Sequence, residues 1–184
     1  TFAAYYRKLR TLGQRPSLTD LDVLSSFLEI ELTKIREILP TPSSAVESAE
    51  REQLYRDLLQ FLKLETDEER EVIACEVGFG MADTFGEPLA TVDPVVIDLG
   101  DGLRFPLRGR IDRIDWIEGA YEVVDYKTGS QLTDAPRPHY VRGQLLQHAL
   151  YALVAERLLA GQNGEVRGSS YYFPVARARK PRVS

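Results

Sequence analysis

The chain has 184 residues, of which 43% are hydrophobic and 28% are charged, and its formal net charge is −5. This length supports one substantial core, no uninterrupted apolar run approaches the roughly 20 residues of a membrane span, and the first residues do not form a signal peptide. The single cysteine, Cys75, excludes an internal disulfide and any four-cysteine zinc or iron–sulfur site within this chain. We expect a globular domain of the reducing cytoplasm, excised from a longer protein because it lacks an initiator Met.

Residues 1–70 are predicted to form a helical region that packs on the rest of the chain. Leucine and isoleucine side chains recur at helical spacing between Leu21 and Leu39, and a similar pattern follows Pro42. The predicted helices cover residues 2–10, 18–39 and 44–64, and the second is capped by Ser17 or Thr19.

Residues 71–184 are predicted to form an α/β core. Runs of β-branched and aromatic residues between turn residues indicate strands, and apolar residues at helical spacing indicate one helix. The predicted strands cover residues 72–77, 92–99, 110–117, 120–127 and 169–175, and the predicted helix covers residues 140–159.

The pair Glu118-Gly119 is predicted to be the two-residue loop of a hairpin. With this loop Ile117 pairs with Ala120, and the same register makes Asp112 face Asp125. Directly opposed residues of an antiparallel pair have Cβ atoms about 4.5–5.5 Å apart, so both carboxylates can reach one cation. Lys127 is two residues beyond Asp125 and shares its face. A loop one residue longer would move Asp112 to the other face.

Two carboxylates and a lysine on one face suit the hydrolysis of a phosphodiester. Carboxylate oxygens are hard ligands for Mg²⁺ or Mn²⁺, which also bind phosphate oxygens and water. Such a metal lowers the pKa of a bound water and neutralises charge on the phosphate. Lys127 could orient that water, take its proton if its own pKa is depressed, or stabilise developing negative charge. An Asp and a Lys two apart on a strand are also common as a surface ion pair worth about 0–1 kcal/mol.

Two motifs resemble the PD-(D/E)XK nucleases, and within them the RecB/AddB-type nuclease domains of bacterial recombination helicase-nucleases. GRIDRID at 109–115 is similar to the strand with the first metal-binding aspartate, which falls on Asp112. VVDYKTG at 123–129 is similar to the D-x-K strand, which makes Asp125 the second ligand and Lys127 the catalytic lysine. The resemblance implies a restriction-endonuclease-like core, in which helices flank a mixed sheet. It also includes relatives with a four-cysteine iron–sulfur cluster, which this chain cannot hold by itself.

A third match is a helix, since LQHALYALVAERLL at 146–159 is similar to the Q-x-x-x-Y helix of the family. The match implies that Gln147 and Tyr151 contact substrate. They continue a polar stripe with Gln144, near Arg142, which would be a solvated helix face if taken alone; its position after DYKTG favours a substrate groove. The buried stripe of the helix is predicted to consist of Leu146, Leu150, Leu153, Val154 and Leu158.

Other positions are interpreted through the same resemblance. The backbone carbonyl of Tyr126 is expected to coordinate the metal. Glu76, on the strand before the hairpin, could be a third carboxylate of the site, although an ion pair with Arg110 or Arg113 is slightly favoured. RecB-type domains also have an upstream helix with a metal-ligating histidine, and both histidines of this chain follow the D-x-K strand.

The charge is unevenly distributed. Residues 128–184 contain eight Lys/Arg and three Asp/Glu, a net charge of +5, so residues 1–127 carry −10. A basic cluster near the end could contact DNA phosphates or could be an unstructured tail, and the sequence leaves both alternatives open. The cluster comprises Arg177, Arg179, Lys180 and Arg182.

We therefore expect Mg²⁺- or Mn²⁺-dependent hydrolysis of DNA, with exonuclease action favoured, by a module attached to a helicase domain or partner subunit. No GxxxxGK[ST] segment is present, so any coupled ATP hydrolysis comes from another region or chain. The alternative is an inactive member of the same fold that only binds DNA or docks a subunit. A purely structural scaffold is disfavoured, because opposed carboxylates repel unless a cation lies between them, although Lys127 alone could supply that cation.

Overall fold

The computed structural model describes residues 1–40, 43–83, 85–127, 146–175 and 182–183. These residues form two compact units. One contains residues 1–69 and 173–175, and the other contains residues 70–127, 146–172 and 182–183. The expected packing of the helical region on the core stays a prediction. No helix in the described ranges is both long and apolar enough to span a membrane.

The first unit is helical, as its apolar periodicity predicts. It contains α1 (Phe2–Leu12), a 3₁₀ turn (Leu18–Asp20), α2 (Leu21–Ile38) and α3 (Ser44–Asp67). The predicted second helix thus begins as a 3₁₀ turn, because Ser17 and Asp20 form a capping box that tightens its first residues. The core of this unit is aromatic, with Tyr5, Tyr6 and Phe61 buried together.

The second unit contains the sheet. In chain order its elements are β1 (Glu71–Phe79), β2 (Val95–Asp98), β3 (Arg104–Leu107), β4 (Gly109–Ile117), β5 (Ala120–Tyr126), α4 (Leu146–Leu158), β6 (Val166–Tyr172) and β7 (Arg182–Val183). Five strands form one sheet in the order β1-β4-β5-β6-β7, and β2 and β3 form a separate hairpin. Among the described strands of this sheet, β5 and β6 are the one parallel pair, so the sheet is mixed, as the family resemblance implies.

The β4–β5 hairpin has the predicted register. Ile117 pairs with Ala120, and the ladder continues without a shift to Arg113 and Val124. Glu118 and Gly119 have φ values of 48° and 84°, and a positive φ at both central residues is what a type I′ turn requires. The strands β3 and β7 escape sequence-based prediction, because β3 contains a proline and β7 has only two residues.

Helix α4 packs on the sheet through a stripe that differs in part from the predicted one. Val154 and Ala155 are fully buried, and Leu153 and Leu158 pack against the same core. Leu146, by contrast, is 48% exposed, so its prediction as a buried residue is wrong. It is the first residue of α4, and the fully buried residues Val154 and Ala155 lie further along the helix.

A buried ionic cluster lies beneath the second half of β4. We call it the Arg113 cluster, and it comprises Arg70, Arg113, Asp115, Glu122 and Arg182. Arg113 and Asp115 are both completely buried, and Arg113 Nη2 donates to Asp115 Oδ2 at 2.8 Å. Arg70 and Arg182 donate to the same oxygen at 3.0 and 3.4 Å, and Arg182 also bonds Glu122 at 3.1 Å. The second aspartate of GRIDRID is therefore a structural anchor.

Substitution of Arg113 by Ala is expected to lower the free energy of unfolding by about 3–5 kcal/mol, because it removes one partner of a buried ion pair. Urea denaturation followed by circular dichroism measures the change. The matched control is Arg104→Ala, since the Arg104 side chain is 67% exposed and pairs with Asp98 at 3.5 Å. The control is expected to cost at most about 1 kcal/mol, and equal losses in both variants would contradict the anchoring role.

Candidate active site

The hairpin register brings Asp112 and Asp125 to one end of β4 and β5. Asp112 is half-buried and directly precedes the last paired residue, Arg113. Its Oδ2 accepts a hydrogen bond from the backbone N–H of Tyr126 at 3.0 Å, so the Asp112 carboxylate is tied to the strand that carries Asp125. The backbone of Lys127 is fixed in turn, because its N–H donates to the carbonyl of Tyr172 at 2.8 Å.

Acidic groups crowd around Asp112. Burial raises the pKa of Asp112, the bond from Tyr126 opposes that shift, and the charges of Asp125 and Glu76 raise the pKa further. Lys127 opposes the rise by a smaller amount, and the net direction is upward. The negative charge of Asp125 thus opposes ionisation of Asp112.

Lys127 forms an ion pair with Asp125. Lys127 Nζ contacts Asp125 Oδ2, and Asp125 is only 8% exposed whereas the lysine side chain is 40% exposed. Burial lowers the pKa of Lys127. The net shift is nevertheless upward, because the hydrogen bond and charge of Asp125 raise the pKa, as do the charges of Tyr171 and Asp112. Lys127 is thus a cation at neutral pH, which suits orientation of water or stabilisation of an anion.

Of the residues assigned to substrate, Gln147 reaches the site. Its Nε2 donates to Asp125 Oδ1 at 3.4 Å, so the side chain that begins the Q-x-x-x-Y pattern approaches the second carboxylate. Tyr151 instead packs edge-on against Phe79, with ring centroids 6.0 Å apart, as part of the core. Gln144 and Arg142 lie outside the described residues.

Tyr126 connects the site to the Arg113 cluster. Its backbone N–H holds Asp112, and its hydroxyl oxygen accepts from Arg113 Nη1 at 3.1 Å. Coordination of a metal by the Tyr126 carbonyl stays a prediction.

Glu76 forms the ion pair favoured from the sequence. Its Oε2 lies 3.4 Å from Arg110 Nη1. Glu76 lies within β1, and the register is the same on both sides of it, since Cys75 pairs with Arg113 and Val77 with Ile111. Its backbone nevertheless has a φ of 54°. A left-handed backbone at a non-glycine residue within a strand costs free energy, and such strain often occurs at functional sites.

The donor set fits a hard divalent cation held by two protein carboxylates. Within the described ranges, no group of three or more His, Cys, Asp or Glu side chains converges on one point, so Glu76 does not complete a cage with the aspartates. Asp112 and Asp125 supply carboxylate oxygens beside a partly exposed lysine, and Mg²⁺ characteristically takes one or two carboxylates and leaves its other positions to water and phosphate.

Sequence reasoning missed Tyr171 as a neighbour of the site. Tyr171 pairs with Asp125 in the parallel β5–β6 ladder, and its ring lies beside Lys127 Nζ. His148 on α4 contacts the same ring. The repeated aromatics of SSYY indicate a strand, but nothing in that pattern indicates which strand they adjoin.

A mixed sheet with a helix on its face and an Asp-x-Lys sequence at the end of a central strand defines a restriction-endonuclease-like α/β domain. The chain belongs to the PD-(D/E)XK nuclease superfamily, whose family model matches residues 3–183. Members of this superfamily generally use divalent metal ions.

The chain is also similar to curated proteins whose names describe one of the subunits of an ATP-dependent helicase/deoxyribonuclease. It is 34% identical to the protein of Limosilactobacillus fermentum over 184 residues, which cover 93% of this chain and 13% of that protein. It is 38% identical to the protein of Symbiobacterium thermophilum over 100 residues, which cover 50% of this chain and 8% of that protein. The chain therefore spans a small part of the length of these relatives.

The strain at Glu76 can be measured by comparing glycine with alanine there. Because glycine adopts positive φ freely, Glu76→Gly is expected to be more stable than Glu76→Ala by about 1 kcal/mol. At Val96, an exposed strand residue whose φ is not positive, alanine should instead be more stable than glycine, because glycine weakens a strand. Urea denaturation of the four variants measures both differences. A more stable alanine variant at position 76 would mean that its backbone is unstrained.

Proposed function

We propose that this domain is a divalent-metal-dependent deoxyribonuclease, with Mg²⁺ or Mn²⁺ as the metal, and that it cleaves DNA from an end. The observation that carries the proposal is the juxtaposition of Asp112, Asp125 and Lys127 in a chain that belongs to a nuclease superfamily. We further propose that it is the nuclease module of a helicase-nuclease of the kind for which its relatives are named.

Each residue of the trio has a distinct proposed role. Asp112 and Asp125 would hold the metal, and a bound cation would activate water and neutralise charge on the scissile phosphate. Gln147 would keep the Asp125 carboxylate in place through its 3.4 Å contact. Lys127, held as a cation, would orient the attacking water and stabilise the charge that develops on the phosphate oxygens.

Arg110 is a cation near the site through which the chain could contact a DNA phosphate. Arg110 lies two residues before Asp112, and its side chain is 40% exposed. Its partner Glu76 is an equally accessible carboxylate, so a phosphate could compete for the guanidinium. Arg177, Arg179 and Lys180 lie outside the described residues, and their contact with phosphates stays a prediction.

Cleavage of end-labelled single- and double-stranded DNA with Mg²⁺, Mn²⁺ or EDTA tests the activity. Lys127→Ala is expected to lower the cleavage rate by at least about a hundredfold, because the group that stabilises transition-state charge is lost. The matched control is Lys63→Ala, an exposed lysine of α3, which is expected to cleave at the wild-type rate.

Three results would contradict parts of this proposal. Unchanged cleavage by Lys127→Ala would remove the lysine from the mechanism. Label released only as internal fragments would contradict cleavage from an end. A folded wild-type chain that binds DNA without cleaving it would be the inactive binding module, the alternative function.

Metal binding is expected to stabilise the folded chain. At a Mg²⁺ concentration of 100 times its Kd, the free energy of unfolding should rise by about 2.7 kcal/mol. Asp112→Asn and Asp125→Asn are expected to abolish the rise, whereas Asp98→Asn, at an exposed strand residue, should retain it. Lys127→Ala should also retain it, because that substitution removes a competing cation. Thermal unfolding at increasing Mg²⁺ measures the effect, and a rise that persists in both site variants would mean that the metal binds elsewhere.

A further inference from the structure

We propose that Tyr171 is a positioning residue that holds the ammonium group of Lys127 for catalysis. Tyr171 is half-buried on β6 and is the ladder partner of Asp125 on β5. Lys127 Nζ lies over the tyrosine ring, 5.1 Å from its centroid. This inference rests on the proposed nuclease activity and adds a residue to its machinery.

The lysine needs an external support. Its side chain has a flexible four-carbon stem, and 40% of its surface is exposed, so its own packing does not define one position for Nζ. Asp125 attracts the ammonium from one side, but the same carboxylate is a proposed metal ligand and its negative charge would then be shared with the metal. The face of an aromatic ring attracts a cation through its quadrupole and has no net charge. Tyr171 can therefore hold Lys127 without competing for the metal.

Tyr171 is itself held by a short series of contacts. Its ring meets the ring of His148 at 73°, with centroids 3.7 Å apart. His148 Nδ1 and Ser169 Oγ are 2.7 Å apart, and the Ser169 hydroxyl also lies 3.2 Å from the His148 carbonyl oxygen. Ser169 and Tyr171 are two residues apart on β6 and share a face. The histidine thus links α4 to β6 and supports the ring from the side.

Lys127 interacts with the aromatic ring of Tyr171, so two substitutions of this tyrosine are expected to have different effects. Tyr171→Phe keeps the aromatic face and should keep the lysine in place. Tyr171→Leu keeps an apolar side chain but removes the quadrupole, so the ammonium should lose its position. A purely structural role would depend on volume and burial and would affect stability before it affected the chemical step.

The experiment measures kcat and KM for cleavage of single-stranded DNA at saturating Mg²⁺, together with the midpoint of thermal unfolding. For Tyr171→Leu we expect kcat to fall about ten- to a hundredfold, with KM changed less than about threefold, because misplacement of a catalytic group affects the transition state. Tyr171→Phe should remain within about threefold of the wild-type kcat. The matched control is Tyr55→Leu, at a half-buried tyrosine of α3, which should keep the wild-type kcat.

A double substitution tests whether Tyr171 acts through the lysine. In a Lys127→Ala background, Tyr171→Leu should cause no further loss, since residues that act as a unit are not additive. Equal fold-losses in the two backgrounds would overturn the inference, as would a Phe variant as impaired as Leu or a Leu variant with the wild-type kcat.

Failure of the proposed nuclease activity gives a different result, because a folded wild-type chain that does not cleave overturns both proposals. Normal cleavage by Lys127→Ala would remove the lysine from the mechanism and would overturn the role of Tyr171, but it would leave the nuclease activity in place. Should Tyr171→Leu fail to fold, proton NMR of the wild-type chain is decisive. The methylene protons beside Lys127 Nζ, assigned by their loss in Lys127→Ala, should be shifted upfield by the ring current of Tyr171. Unshifted signals would overturn the inference.

Discussion

The register of the β4–β5 hairpin is the constraint on which the site depends. Glu118 and Gly119 both have positive φ, and this two-residue turn fixes the pairing of Ile117 with Ala120 and of Arg113 with Val124. A slip of one residue would send every side chain of one strand to the opposite face. The carboxylates of Asp112 and Asp125 would then be separated by the sheet, so the geometry of a turn at one end of the hairpin determines the chemistry possible at the other.

Side chains alternate between the two faces of β4 and β5, so the candidate site lies on one face and the Arg113 cluster on the other. Asp112 precedes Arg113, and Asp125 precedes Tyr126, so neighbouring residues serve opposite faces. On one face the aspartates and Lys127 form the site, and on the other Arg113 bonds Asp115 and the Tyr126 hydroxyl. The GRIDRID segment therefore contains two aspartates with different tasks. The buried ionic cluster on the opposite face ties β4 to β5 and β7, because Arg113 bonds the Tyr126 hydroxyl and Arg182 bonds Asp115.

The sequence predicted the local parts of this arrangement and missed the parts that depend on distant pairing. The hairpin and its register follow from β-branched runs and one Glu-Gly turn, because these patterns act over a few residues, whereas the mixed sheet was expected from the family resemblance. The proximity of Tyr171 to Lys127 requires knowing that β6 adds in parallel beside β5, and no local pattern contains that information. The left-handed backbone of Glu76 was also unpredictable, since glutamate rarely adopts it. Leu146 was wrongly predicted to be buried, because helical spacing shows which residues share a face but not how much of that face the sheet covers.

The parallel pairing of β5 with β6 has a consequence for the order of folding. An antiparallel hairpin closes a short loop and forms in microseconds, whereas a parallel pair needs a crossover and must first overcome a larger loss of chain entropy. Asp112 and Asp125 can therefore meet while a chain is still being synthesised, but Lys127 acquires its aromatic neighbour only when β6 docks. We therefore expect the β4–β5 hairpin to form before the β5–β6 pair, so that the surroundings of Lys127 are completed last.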